Sequence, residues 1–432
     1  MLVAAGWVLP VASPPVRDGA VLVRGGRIAE VGPLETLARA NPDEPVERYD
    51  DCVLVPGLVN AHSHLELTVL GGLLPSVPFG EWLPLLVRAM RTLTPEAREA
   101  SVALGVRQCL EAGVTVVGEI AYGAASARAM SAAGLGGVCF WEVLGVRGDA
   151  LDGVLEDAGY PGPTSPHGRV RAGLSPHSPY TSGPDLLRAA HVRALRERAP
   201  YAIHVAESHA EAELFAHGSG ALAGTAGRFA IGLKPGEHAT PVHYLDALGV
   251  LDGALAIHCV QVDGADIAAL AARAAGVVLC PRSNAYLREG PAPVAALEAA
   301  GTRLALGTDS SASNLDLDLL DEARALRTLA PDLSAERVVR MLTADGAAAL
   351  GLGDAFGALA PGYQADVALF RCGPADADPF EALVGCAGRP SLAHVMSAGV
   401  WRVRDGSALG LPDTELEPVL ERAREAARDA LT

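Results

Sequence analysis

Asn60-Ala61-His62-Ser63-His64 closes an apolar run from Val53 to Val59 that only Pro56-Gly57 interrupts. The run has the character of a strand end. Side chains alternate along a strand, so His62 and His64 point to the same face. Two imidazoles on one face can grip a metal ion. Two histidines at a strand end can equally be polar residues that carry no chemistry. Similar residues recur downstream in similar places. An apolar run at 170–174 leads into Ser175-Pro176-His177-Ser178-Pro179-Tyr180. Another carries His204-Val205-Ala206-Glu207, a third reaches His258, and a fourth ends Gly307-Thr308-Asp309-Ser310. One strand-end histidine alone is more often structural. Five strand ends that agree point to chemistry.

Those residues need a scaffold that gathers strand ends. Short apolar runs occur at 57–61, 114–118, 137–143, 170–174, 202–205, 254–257, 277–280 and 303–306. Helical stretches rich in Ala, Leu, Arg and Glu separate them, as at 95–112, 185–198, 265–275 and 293–300. Eight βα units over roughly 300 residues predict a (β/α)8 barrel of the TIM type. In such barrels the C-terminal ends of the strands build the active site, and all five chemical positions fall there. The chain ends read differently. Runs at 19–24 and 27–31 flank Gly25-Gly26, a hairpin signal. Segments 357–359, 366–370, 394–396 and 400–403 also read as strands. The expected organisation is a small β-sandwich domain from residues 1–55 and 357–408, a catalytic barrel at 56–356, and a C-terminal helix at 409–432. The tail at 414–431 has a charged amphipathic pattern suited to packing, or to a homodimer contact.

Composition narrows the partners. The chain has 432 residues, half of them hydrophobic, and a formal net charge of -17. That charge repels a phosphate backbone, so nucleic acid is not an expected partner. Seven cysteines, odd in number and without a CxxC pair, fit free thiols in a reducing compartment. The apolar N-terminus lacks a basic leader, and no membrane-length apolar run occurs. A cytoplasmic enzyme acting on a small molecule is expected.

The motifs PGLVNAHSHLELT at 56–68, SPHSPYTSG at 175–183, HVAES at 204–208, AIHC at 256–259, CPRSNAYL at 280–287 and LGTDSSASN at 306–314 together resemble the amidohydrolase superfamily. The resemblance covers the whole chain. It is nearest to the branch of adenosine-nucleoside, guanine and cytosine deaminases and chlorotriazine hydrolases. It implies one divalent metal, Zn2+ or Fe2+, held by His62, His64, His204 and Asp309. It also implies that Glu207 and His258 are an acid/base pair. The chemistry of these groups agrees. Imidazoles and a carboxylate suit such an ion and leave a position for water, whose pKa falls towards neutrality. Glu207, three residues after His204, can take the water proton and hand it to a substrate ring nitrogen. A helix-start carboxylate favoured by the dipole is its other reading. His258 can orient the nucleophile, and Asp309 can relay a proton to the departing amine. Members with two metals bridge them by a carboxylated lysine on strand four. The only lysine here is Lys234, outside that strand, so a mononuclear site is expected.

A 6-aminopurine nucleoside of adenosine type fits this resemblance, with aminodeoxyfutalosine a candidate. His177 would contact substrate, or else cap a Pro-rich turn. Trp82 could stack on a base or sit in the core, and Glu81 could accept ribose hydroxyls. Arg282 and Arg147 are candidate cations for an acidic substrate; Arg282 equally suits an ion pair. Asn284 and Asn314 read as loop-fixing residues. A guanine, cytosine or chlorotriazine hydrolase would keep the metal site and change the pocket. A metal-stabilised barrel without turnover is the reading from another class.

Overall fold

The computed structural model describes residues 1–162, 168–372, 378–386, 388–410 and 416–432. The chain opens with β1 (Leu2–Val8), β2 (Val16–Arg24), β3 (Arg27–Pro33) and β4 (Val46–Pro56). Gly25 and Gly26, at φ 56° and 74°, turn β2 into β3, as the glycine pair predicts. The apolar run before the histidines serves two sheets. β4 ends at Pro56 and β5 (Leu58–Ser63) begins two residues on. Gly57 makes the crossing, because a Cβ there would lie 2.1 Å from Thr115 Oγ1.

From β5 the strands run in chain order around a parallel sheet. They are β6 (Val114–Ala121), β7 (Gly136–Val143), β8 (Val170–Pro176), β9 (Tyr201–Val205), β10 (Ala254–His258), β11 (Gly276–Leu279) and β12 (Leu304–Leu306). These are the eight runs read in the sequence, and nearly all their residues are buried. A parallel sheet covered by helices outside and packed within demands apolar strands on both faces. Val59, Val116, Val138, Phe140, Ile257 and Val278 share one buried cluster inside the barrel. The helices Pro95–Glu111, Pro184–Glu197, Gly264–Arg273 and Val294–Ala299 occupy the expected helical stretches. The barrel closes by a parallel bridge between Ser63 and Asp309. Thr308 and Asp309 both donate a backbone N–H to the His62 carbonyl, each at 3.1 Å.

The second sheet joins both ends of the chain. After the barrel come β13 (Val367–Arg371), β14 (Leu392–Ser397), β15 (Val400–Arg404) and β16 (Ser407–Ala408). Its order is β16-β15-β14-β13-β4-β1-β2-β3, with β13 antiparallel to β4. The architecture is thus a TIM-type barrel with a small β-sandwich domain. Gly357-Ala358-Leu359, expected as a strand, is irregular. Gly357 sits at φ 83°, a left-handed conformation no strand continues. The tail helix Glu417–Leu431 buries Leu420, Ala423 and Ala427 against the Phe79–Met90 and Pro95–Glu111 helices. Residues 414 and 415 of the expected tail lie outside the described residues. No helix among the described residues is long and apolar enough to cross a membrane.

One buried ion pair ties the two layers together. Asp366, 5% exposed, pairs with the guanidinium of Arg169. Its Oδ1 also accepts the Ala398 N–H at 2.8 Å. Arg169 donates further to Ser397 Oγ at 2.6 Å and to the Gly134 carbonyl at 3.2 Å. Removing one partner of a buried pair strands the other charge. Asp366→Ala is therefore expected to destabilise the fold by about 3 kcal/mol, read as a lower urea midpoint. A change under about 1 kcal/mol, the size of a surface pair, would show that this contact is no clamp.

Candidate active site

The strand ends bring the sequence-predicted ligands together. His62 lies in β5, with His64 just beyond it; His204 lies in β9, and Asp309 follows β12. His64 Nε2 and His204 Nε2 are 3.3 Å apart. Asp309 Oδ1 is 3.5 Å from His62 Nε2 and 3.7 Å from His64 Nε2. Gly307 permits this approach, since a Cβ there would come 2.8 Å from His62 Cβ. His204 and Asp309 are held from behind. His204 Nδ1 donates to the His177 carbonyl at 2.8 Å, which turns Nε2 to the cluster. Asp309 Oδ2 accepts from Ser283 Oγ at 2.6 Å and Ser313 Oγ at 2.9 Å. The backbone is strained here as well. Ala206, His258, Cys259 and Asp309 adopt φ of 52°, 75°, 48° and 57°, a region that L side chains rarely occupy.

The donor set fits a divalent ion. Both ring nitrogens of His62, and Nδ1 of His64, are buried with no hydrogen-bond partner. Buried polar atoms without partners are costly and uncommon. Burial, then the neighbouring His62, holds His64 down to about 3. Burial likewise keeps His204 well below the usual imidazole range. Burial works against the charge of Asp309, yet the facing His62 and His64 hold its carboxyl well below the usual carboxylate range. Imidazoles with unpartnered nitrogens beside an ionised carboxylate make a zinc-type ligand set.

Next to this cluster stands the expected acid/base pair. Glu207 Oε1 lies 3.6 Å from His258 Nε2. Burial, then the charge of Asp309, pushes the Glu207 carboxyl well above its usual range. His258 Nδ1 meets Asn284 Oδ1 at 3.2 Å, which leaves Nε2 towards Glu207. Asn284, read from sequence as loop-fixing, thus orients a site histidine. Asn314 does fix its loop, donating to the Thr308 carbonyl at 3.0 Å and to Glu322 Oε1 at 2.6 Å.

A narrow cleft of about 60 Å³ opens over the site. Phe79, Trp82, Leu83 and Leu86 of the Phe79–Met90 helix line it, with Tyr122 and His177. Of the expected substrate contacts, His177 and Trp82 line the cleft. Three stand elsewhere. Glu81 is exposed and does not line it. Arg282 reaches Asp316 Oδ1 at 2.7 Å beside Asp321 and Glu322. Arg147 is exposed, with Asp149 at 3.3 Å. Carboxylates close in sequence or space capture both guanidinium groups. Sequence reasoning passed over two buried acids. Glu119 accepts the Leu65 N–H at 2.9 Å, Ser63 Oγ at 2.8 Å and Ser126 Oγ at 2.9 Å, bracing the turn that carries His64. Glu142, near the end of β7, is buried beside His177. Both lie within the apolar runs VTVVGEIA and GGVCFWEV, where an acid is itself a signal.

Comparison with known proteins agrees with this geometry. The amidohydrolase family profile matches residues 53–402, and a bacterial imidazolonepropionase-like composite domain matches residues 19–43. The 5-methylthioadenosine/S-adenosylhomocysteine deaminase of Pelotomaculum thermopropionicum is 33% identical, over 85% of this chain and 84% of that one. The aminodeoxyfutalosine deaminase of Deinococcus radiodurans is 34% identical, over 77% and 81%. An adenosine deaminase from Xanthomonas campestris, solved with bound zinc, superposes with a TM-score of 0.84 at 27% identity, over 99% and 98%. The chain belongs to the amidohydrolase family. It is a hydrolase acting on C–N bonds.

A ligand set with orphaned nitrogens predicts metal-dependent stability. Elemental analysis should find a single equivalent of divalent metal. Stripping it with a chelator should lower the Tm, since an ion at a hundredfold its Kd contributes about 2.7 kcal/mol. An unchanged melting curve in protein shown to have lost its metal would contradict the assignment.

Proposed function

We propose that this protein is a hydrolytic deaminase of 6-aminopurine nucleosides that works with one zinc ion held by His62, His64, His204 and Asp309. The observation that carries the reading is the Glu207–His258 pair, 3.6 Å apart, facing the ligand cluster in a single cleft. The deaminase relatives support an amine as leaving group. The zinc of the Xanthomonas enzyme supports the metal. Seven free, buried cysteines support a reducing, cytoplasmic setting.

When bound, the ion supplies the Lewis acidity that makes water a nucleophile near neutral pH. The chain's own groups handle position and protons. Glu207 accepts a proton from the attacking water and delivers it to the ring nitrogen beside the amine-bearing carbon. That carbon becomes tetrahedral as its ring C=N bond opens. His258, aimed by Asn284, hydrogen-bonds the incoming oxygen. Asp309 relays the second water proton to the amine. The C–N bond then breaks, ammonia leaves, and a ring carbonyl remains. Trp82 offers a face for the base to stack on. The cleft is far smaller than an ordinary small-molecule site, so the Phe79–Met90 helix moves outward to admit a nucleoside.

Glu207→Gln keeps shape and removes only the proton shuttle. It should retain metal and lose about 10²–10⁴-fold in kcat, measured by ammonia release from adenosine, methylthioadenosine, adenosylhomocysteine and aminodeoxyfutalosine. Turnover within a few-fold of the parent enzyme would remove Glu207 from the mechanism.

A further inference from the structure

Glu289 has no part in the chemistry above, yet it is buried and joins two elements of the cleft. It follows the Pro281–Tyr286 helix, between Arg288 and Gly290 at φ of 59° and 83°. Gln261 Nε2 donates to its backbone carbonyl at 2.7 Å. Its Oε1 accepts, at 2.8 Å, the N–H of Phe79, the first residue of the Phe79–Met90 helix that roofs the cleft. Its Oε2 accepts, at 2.7 Å, the N–H of His209, the first residue of the His209–His217 helix. First-turn N–H groups have no partner within their own helix, and the helix dipole favours a carboxylate beside them. Pro78, just before the roof helix, supplies no side-chain cap. One carboxyl group therefore caps two helices. The chain leading into the roof is pinned to the same region. Ser76 Oγ donates to the Tyr286 carbonyl at 2.7 Å, and the Tyr286 hydroxyl donates to the Leu74 carbonyl.

We infer that Glu289 is a positioning residue, which fixes the roof helix against the loop carrying Glu207 and so sets where Trp82 meets the purine. The inference rests on the deaminase reading. The two sides of the bridge are not equally firm. On the Glu207 side, Ser208 Oγ accepts the Glu211 N–H at 3.2 Å, and Glu211 Oε2 accepts the Glu207 N–H at 2.9 Å. That turn keeps its shape without Glu289. The start of the roof helix has no side-chain cap of its own. Trp82 lies one turn on from Phe79, on the same stripe of the helix, with ring centroids 6.2 Å apart. Both line the cleft. Fixing Phe79 therefore fixes Trp82, and outward motion of the roof becomes a pivot about its first residue. Loss of the bridge weakens the grip on the base and leaves the proton shuttle in place.

The test measures adenosine turnover in the parent enzyme, Glu289→Ala, Trp82→Ala and the double variant, with metal content confirmed in each. Glu289→Ala should raise KM about tenfold, as expected for a lost charge-assisted bond. It should leave kcat within about threefold, because stacking holds the ground and transition states alike. The double variant should show the KM of Trp82→Ala alone, since the two residues act through one contact. Glu289→Gln keeps the shape and one acceptor. It should shift KM the same way by less, and it replaces the alanine variant if that one does not fold. Hydrogen exchange gives a second reading that needs no substrate. Amides of the Phe79–Met90 helix should exchange faster in the Glu289 variants, while those of β5 keep the parent's rate. An unchanged KM, additive effects in the double variant, or a loss confined to kcat overturns the inference. So does exchange that rises equally in roof and strand, or in neither. A parent enzyme that releases ammonia from none of the nucleosides fails at the deaminase reading, and the exchange comparison still decides the Glu289 bridge.

Discussion

The backbone N–H of Asp309 meets the His62 carbonyl at 3.1 Å, and the rest of the site depends on that contact. It is a closure bond of the barrel, made between its first and last strands. The same two residues face each other with their side chains, at 3.5 Å. Barrel closure and ligand assembly are therefore one event. A chain that failed to join β12 to β5 would have neither a lumen nor a ligand set. The left-handed backbone of Asp309, at φ 57°, is tolerated because closure on one side and the Ser283 and Ser313 hydroxyls on the other over-determine it.

The interior of the barrel divides by height. Below, Val59, Val116, Val138, Phe140 and Ile257 pack without polar atoms. Above, polar groups accumulate and each is aimed by another. The His177 carbonyl aims His204, Asn284 aims His258, and Glu119 holds the turn on either side of His64. Such supporting bonds fix which nitrogen is free and where it points. The exceptions are informative. The unpartnered nitrogens of His62 and His64 gather where an ion would fit, and binding one would recover their burial cost. Glu142 Oε1 and Ser175 Oγ are also buried without a partner.

What could be read from sequence follows from how rare each signal is. Parallel strands buried on both faces leave near-continuous apolar runs, so all eight barrel strands were legible. Histidines at strand ends stand out against that background. Contacts made by common residue types were not legible. Arg282 reads as a ligand for an acidic substrate until Asp316 is found 2.7 Å away. Glu81 and Trp82 are adjacent in sequence, but a helix turns successive residues about 100° apart, so Trp82 faces the cleft and Glu81 faces solvent. Gly357-Ala358-Leu359 looks like a strand because apolar content alone does not reveal a φ of 83°.

The two ends of the cleft differ in how freely they can move. Every proposed metal ligand stands on a barrel strand or just after one, so shifting one means shifting the lumen packing beneath it. The roof is attached more loosely. The Phe79–Met90 helix carries Pro84 in its interior, which removes a backbone donor. The helix leaves the barrel through Gly71 and Gly72, the latter at φ 73°. Outside, it is covered by the tail helix, whose buried residues Leu420, Ala423 and Ala427 include two alanines. The Arg424 guanidinium donates to the Val69 carbonyl at 3.3 Å, and Arg88 of the roof helix donates to the Leu431 carbonyl at 3.4 Å, so the tail is tied both to the turn after His64 and to the roof. The roof and the ligand cluster are thus carried on different elements of the fold. Rigidity is placed where bonds change, and compliance where substrates are told apart.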